Sequence, residues 1–149
     1  LYQHLKLMKE ITINSKKLFL VTGDIFELQA KGVQLILTVS GGGMAFEIRQ
    51  HSGERFSRPI EEYKLEDVSK EVKKMLDEAS SRGYKSVGMN AARTTETGKT
   101  HYEAQGMMIE ACREWLESHP ESLLESIYLV DKSSTKNFET AYDDFIKID

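Results

Sequence analysis

Residues 85–116 read KSVGMNAARTTETGKTHYEAQGMMIEACREWL, and the fold turns on how this run divides. SVGMN (86–90) is short and apolar without alternation, the pattern of a strand buried on both faces. Ala104, Met107, Met108, Ala111, Cys112, Trp115 and Leu116 then recur at i, i+3, i+4 and i+7, the stripe of an amphipathic helix. Thr100 and Glu103 are spaced as a capping box for its first turn. Between strand and helix lies ARTTETGK (92–99), the kind of loop where α/β folds hold anions. It imitates a nucleoside-triphosphate loop through Gly98, Lys99 and Thr100. That loop needs a glycine where Arg93 stands, which argues against an ATPase or GTPase.

The same pattern extends outward in both directions. LFLVT (18–22) ends at Gly23 and Asp24, VQLILTV (33–39) ends at Ser40 and three glycines, and SIYLV (126–130) is a fourth continuous apolar run. KEITI (9–13) predicts an edge strand joined through turn chemistry at Asn14 and Ser15. Leu65, Val68, Val72, Met75, Leu76 and Ala79 predict a helix stopped by Gly83, and Phe138, Ala141, Tyr142, Phe145 and Ile146 predict a last one. A shorter helix is expected after the glycines, from Met44 to Gln50, ending near Gly53. Strands alternating with helices give an α/β class: a three-layer α/β/α sandwich around a mostly parallel central sheet.

Composition bounds the function. The 149 residues suit one domain, 1–149, with a real core, and a first residue other than Met suggests excision from a longer protein. Twenty basic residues against 24 acidic ones leave a net charge of −4, which argues against a non-specific nucleic-acid binder. No long apolar run predicts a membrane span, and no signal-peptide pattern is visible. Cys112 is the single cysteine, so no internal disulfide forms; an intracellular setting, cytoplasmic or nuclear, is expected. His4, His51, His101 and His119 lack metal-ligand spacing, and neither a metal nor a cofactor is expected.

Three further stretches carry candidate chemistry, each beside a plainer reading. Asp24, at the end of VTGDIF, suits a hydrogen bond from an amino group or a ribose, and equally an Asx turn. The glycines of SGGGMAF permit close backbone approach to a ligand, or a flexible loop. Phe138 suits stacking on a base, or core packing at the start of a helix.

The order of these features resembles the macrodomain family, modules that bind ADP-ribose. LFLVTGDI matches the family's strand and G-D-I turn. GGGMAFEIRQHSG resembles its glycine run and helix, KSVGMNAARTTETGKTHYEAQGMMIEACREWL its strand, phosphate loop and helix, and LLESIYLVDKSSTKNFETAYDDF its final strand and helix. The resemblance covers most of the chain and implies a site. Asp24 would bind adenine with the Ile25 amide beside it. The amides of Gly42, Gly43 and Met44 would face one phosphate from a helix N-terminus. Arg93, Thr97, Gly98, Lys99 and Thr100 would close the other side, and Phe138 would flank the base.

Departures from the family pattern matter equally. Thr38, Val39 and Ser40 run straight into Gly41, so the asparagine segment of hydrolytic members is missing and no catalytic residue is expected. The phosphate loop has lost two glycines and an aromatic, and Glu96 brings negative charge towards a diphosphate. The region between Gly53 and Leu65 is too short for the strands that the family has there. The resemblance implies a binding module for ADP-ribose or ADP-ribosylated protein, without hydrolase activity. The alternative is a degenerate macrodomain with no nucleotide ligand, serving protein–protein interaction.

Overall fold

A computed structural model describes residues 5–40, 44–49, 55–60, 67–90 and 101–131. The chain begins with a hairpin of β1 (Lys6–Ile13) and β2 (Lys16–Thr22). Asn14 takes a left-handed φ of 58°, as a two-residue hairpin turn requires, so the edge strand and its turn are as the sequence predicts. There follow α1 (Phe26–Ala30), β3 (Gln34–Ser40), β4 (Met44–Arg49), β5 (Arg55–Ile60), α2 (Asp67–Ser81), β6 (Ser86–Asn90), α3 (His101–Ser118) and β7 (Ser126–Asp131). Among the described residues seven strands form one sheet in the order β1-β2-β7-β6-β3-β4-β5. The four inner strands, β2, β7, β6 and β3, run parallel, and antiparallel pairs flank them on both sides.

Two expectations about the middle of the chain need correction. The helix expected from Met44 to Gln50 is instead strand β4, paired antiparallel with β3 from Ser40↔Met44 to Leu35↔Arg49. MAFEIR alternates apolar Met44, Phe46 and Ile48 with Ala45, Glu47 and Arg49. That period of two suits the ladder offered by β3, which a six-residue helix could not match in bonds. The stretch after Gly53 likewise carries a strand, β5, paired with β4 along its length. Its Pro59 is tolerated because β5 is the edge of the sheet, where one missing N–H breaks no inner ladder. The short α1 was not anticipated, since five residues are too few for a helical period.

The layers follow from handedness. The chain crosses from β2 to β3 in one direction along the sheet and returns from β6 to β7 in the other. Right-handed crossovers therefore put α1 and α3 on opposite faces. On one face Val72, Met75, Leu76 and Ala79 of α2 and Met108, Ile109, Cys112, Trp115 and Leu116 of α3 pack on Leu18, Leu20, Ile36, Val87, Met89, Ile127 and Leu129. On the other, Ile25 and Leu28 meet Val21, Val33, Leu35 and Val130. This is the expected α/β/α sandwich. A Cβ on Gly88 would lie 2.7 Å from Leu28 Cδ1, so α1 sits as close to β6 as it does because position 88 has no side chain. Trp115 Nε1 donates to Asp77 Oδ1 at 2.8 Å and Lys73 Nζ to Glu114 Oε2 at 2.6 Å, fastening α2 to α3. No helix among the described residues is long and apolar enough to cross a membrane.

Candidate functional site

Because β2, β7, β6 and β3 are adjacent and parallel, their carboxyl ends share one edge of the sheet. Thr22 pairs with Asp131, and Asn90 with Val130. Open α/β sheets bind ligands in the crevice outside this edge. From it the chain continues into Gly23 and Asp24, into the glycine run after Ser40, into residues 91–100, and into the residues after Asp131. Every segment in which the sequence suggests a ligand contact thus starts from the same edge.

At the β2 end, Gly23 has a φ of 129°, open to glycine and strained for other residues. Its N–H donates to the main-chain oxygen of Asp131 at 3.1 Å, tying the turn to β7. Asp24 is exposed, and its Oδ1 accepts from Phe26 N at 3.0 Å while its carbonyl accepts from Glu27 N. The Asx turn is therefore formed. A carboxylate has lone pairs beyond this one bond, so the Asx turn leaves Asp24 able to accept another donor. Ile25 is buried beneath it beside Leu28.

At the β7 end, Asp131 is 7% exposed and accepts at Oδ2 from Gln105 Nε2 at 2.9 Å. Gln105 belongs to the second turn of α3 and is itself 1% exposed. Neither residue stands out in the sequence as a candidate contact. The signal was slight: an amide inside an apolar helix stripe, and an acid closing an apolar strand.

Groups with other chemistry are poorly placed for it. Burial pushes the Cys112 thiol far above its ordinary range, which leaves no thiolate nucleophile. Ser118 Oγ lies 3.0 Å from His119 Nδ1, and His119 Nε2 lies 3.6 Å from Asp77 Oδ1. This Ser–His–Asp set sits at the C-terminus of α3, away from the carboxyl edge. His119 there stacks on Trp115, its Nδ1 2.8 Å from the Trp115 carbonyl, and Asp77 is largely exposed, so the group finishes the helix. Among the described residues no three His, Cys, Asp or Glu side chains could hold a metal ion.

No family model matches the sequence, and no curated protein matches it. Solved structures do match in three dimensions. The Trypanosoma brucei macrodomain in complex with ADP is 15% identical, over 83% of this chain and 68% of that one, with a TM-score of 0.64. The Oceanobacillus iheyensis macrodomain with ADP is 13% identical, over 97% of this chain and 96% of that one, with a TM-score of 0.67. The same macrodomain with MES bound gives 13%, 98%, 97% and 0.66.

The chain has the macrodomain fold. Within that macrodomain frame, Asp24 and Ile25 stand at the carboxyl edge and Met44 heads β4. Gly42, Gly43, Arg93, Thr97, Gly98, Lys99, Thr100 and Phe138 lie outside the described residues, as does the capping role of Thr100. With β4 in place of a helix, the helix N-terminus expected to present the Gly42, Gly43 and Met44 amides does not exist.

Proposed function

We propose that this domain binds ADP-ribose, free or attached to protein, and does not hydrolyse it. The observation that carries the reading is the convergence at one carboxyl edge. Four parallel strand ends lead into the G-D-I turn, the glycine run, the 91–100 loop and the chain after β7, in a fold whose Trypanosoma and Oceanobacillus examples hold ADP. Asp24 takes the adenine amino group alongside its Asx turn, with Ile25 beside it. Gly42, Gly43 and Met44 meet one phosphate. Arg93, Thr97, Gly98, Lys99 and Thr100 meet the other, and Phe138 flanks the base. Hydrolysis is not expected because Thr38, Val39 and Ser40 leave no asparagine segment before Gly41.

Calorimetry with ADP-ribose, with AMP and ATP as controls, tests the reading. Loss of a charged hydrogen bond in Asp24→Ala should weaken binding by about 1–3 kcal/mol. Folded protein that takes up no ADP-ribose would leave the ligand-free protein-interaction module as the better account. Release of ADP-ribose from a mono-ADP-ribosylated protein, abolished by a point substitution here, would overturn the non-hydrolytic part.

A further inference from the structure

Gln105 and Asp131 join three elements. Gln105 on α3 donates to the carboxylate of Asp131 on β7, and the Asp131 carbonyl accepts from Gly23 at the end of β2. The amide nitrogen of Gln105 is the donor that faces this carboxylate. Gln105 Oε1 is thereby turned away, fully buried and without a hydrogen-bond partner among the described residues. A buried amide satisfied on one side costs stability, whereas an apolar residue of the same size would not. Its helix neighbours Met108, Ile109 and Cys112 show the apolar solution that this face otherwise uses. The pair is therefore poorly explained as a source of stability and well explained as a geometric link.

What it links bears on the edge. Gly23 precedes Asp24, and α3 follows the 91–100 loop. We propose that Gln105, acting through Asp131, is a positioning residue: it holds the Gly23–Asp24 turn in register with the first turns of α3. Its consequence for affinity rests on the ADP-ribose reading; the coupling itself needs no ligand. With Gln105 gone, the Asp131 carboxylate loses the amide that ties it to α3, and the end of β7 that accepts from Gly23 is held less firmly in register with that helix.

Backbone amide exchange, followed by NMR on the whole chain, reads the coupling directly. Gln105→Leu should speed exchange at Gly23 by about tenfold or more, as in local opening, and leave Leu18 and Leu129 unchanged. Asp131→Asn, with Gln105 in place, should keep slow exchange at Gly23, because the asparagine amide oxygen can still accept from Gln105 Nε2. A purely space-filling role would favour the leucine variant and leave Gly23 exchange unchanged in it. If Gln105→Leu does not fold, Gln105→Ala is read in its place. Unchanged Gly23 exchange in the folded variant, or exchange in Asp131→Asn as fast as in Gln105→Leu, would overturn the proposal. In calorimetry Gln105→Leu should bind ADP-ribose about tenfold more weakly, and Asp131→Asn within about twofold of the unaltered chain. An unaltered chain that binds no ADP-ribose would refute the nucleotide reading alone, with the exchange data still deciding the coupling. Normal affinity in a Gln105→Leu variant with fast Gly23 exchange would refute the consequence for affinity.

Discussion

Replacing Lys16 by methionine should destabilise the domain without touching the carboxyl edge. Lys16 is 2% exposed, and its Nζ donates to the carbonyls of Ser122 and Leu124 at 2.6 Å each. Those carbonyls belong to the connection between α3 and β7, which Ser80 also holds through Ser122 Oγ. Methionine keeps most of the apolar stem and removes the charge, so the change isolates the two bonds. Hydrogen bonds to a charged donor are worth about 1.5–3 kcal/mol each, or about 3–6 kcal/mol for the pair. Against this stands the desolvation of a buried ammonium, several kcal/mol, which methionine avoids. The two carbonyls left without that donor tip the balance, and a net loss of about 2 kcal/mol is expected. For a chain of this length that lowers the melting temperature by roughly 4–8 °C.

The assay is thermal and urea unfolding of the unaltered chain, Lys16→Met and Lys17→Met. Lys17 is 39% exposed and bonds Thr12 and Glu10 across the hairpin surface, so its loss should fall within about 0.5 kcal/mol. A Lys16→Met variant as stable as the unaltered chain, or more so, would refute the reasoning. It would mean that ammonium burial costs as much as the two bonds return.

Gly88→Ala should lower the urea midpoint by the equivalent of about 1–3 kcal/mol, because its Cβ would lie 2.7 Å from Leu28 Cδ1 and the buried Leu28 side chain must leave its packed position to clear it. A gain in stability would show that Leu28 repacks freely. Cys112 should stay unreactive towards a disulfide reagent in the native protein and react on unfolding, since burial both shields the thiol and raises its pKa. Native-state labelling that outpaces global unfolding would contradict this. Glu114→Gln should cost at most about 0.5–1 kcal/mol at neutral pH, discounted because both partners are partly exposed. The hydrogen bond from Lys73 lowers the folded-state pKa of Glu114, so its contribution is present above the unfolded pKa and disappears as pH falls through the lowered value. A stability difference persisting in strong acid would rule out that linkage.

The parts of this fold that could be read from the sequence are those in which local pattern and burial agree. LFLVT, VQLILTV, SVGMN and SIYLV are continuous apolar runs because β2, β3, β6 and β7 are covered on both faces, and that requirement is written residue by residue. The stripes of α2 and α3 were legible for the same reason, and Asp24 declared itself by ending a strand before a turn. MAFEIR was not decidable alone. Six residues after a glycine run satisfy either period over so short a span, and the neighbouring β3 ladder made them a strand. Charged, proline-bearing β5 is, among the described residues, an edge strand paired with β4 alone, which gives it little local signature. Gln105 and Asp131 stand 26 residues apart, and neither implies the other. They meet because β7 inserts between β2 and β6, an order chosen by long-range strand pairing and core burial, which no stretch of the sequence encodes locally.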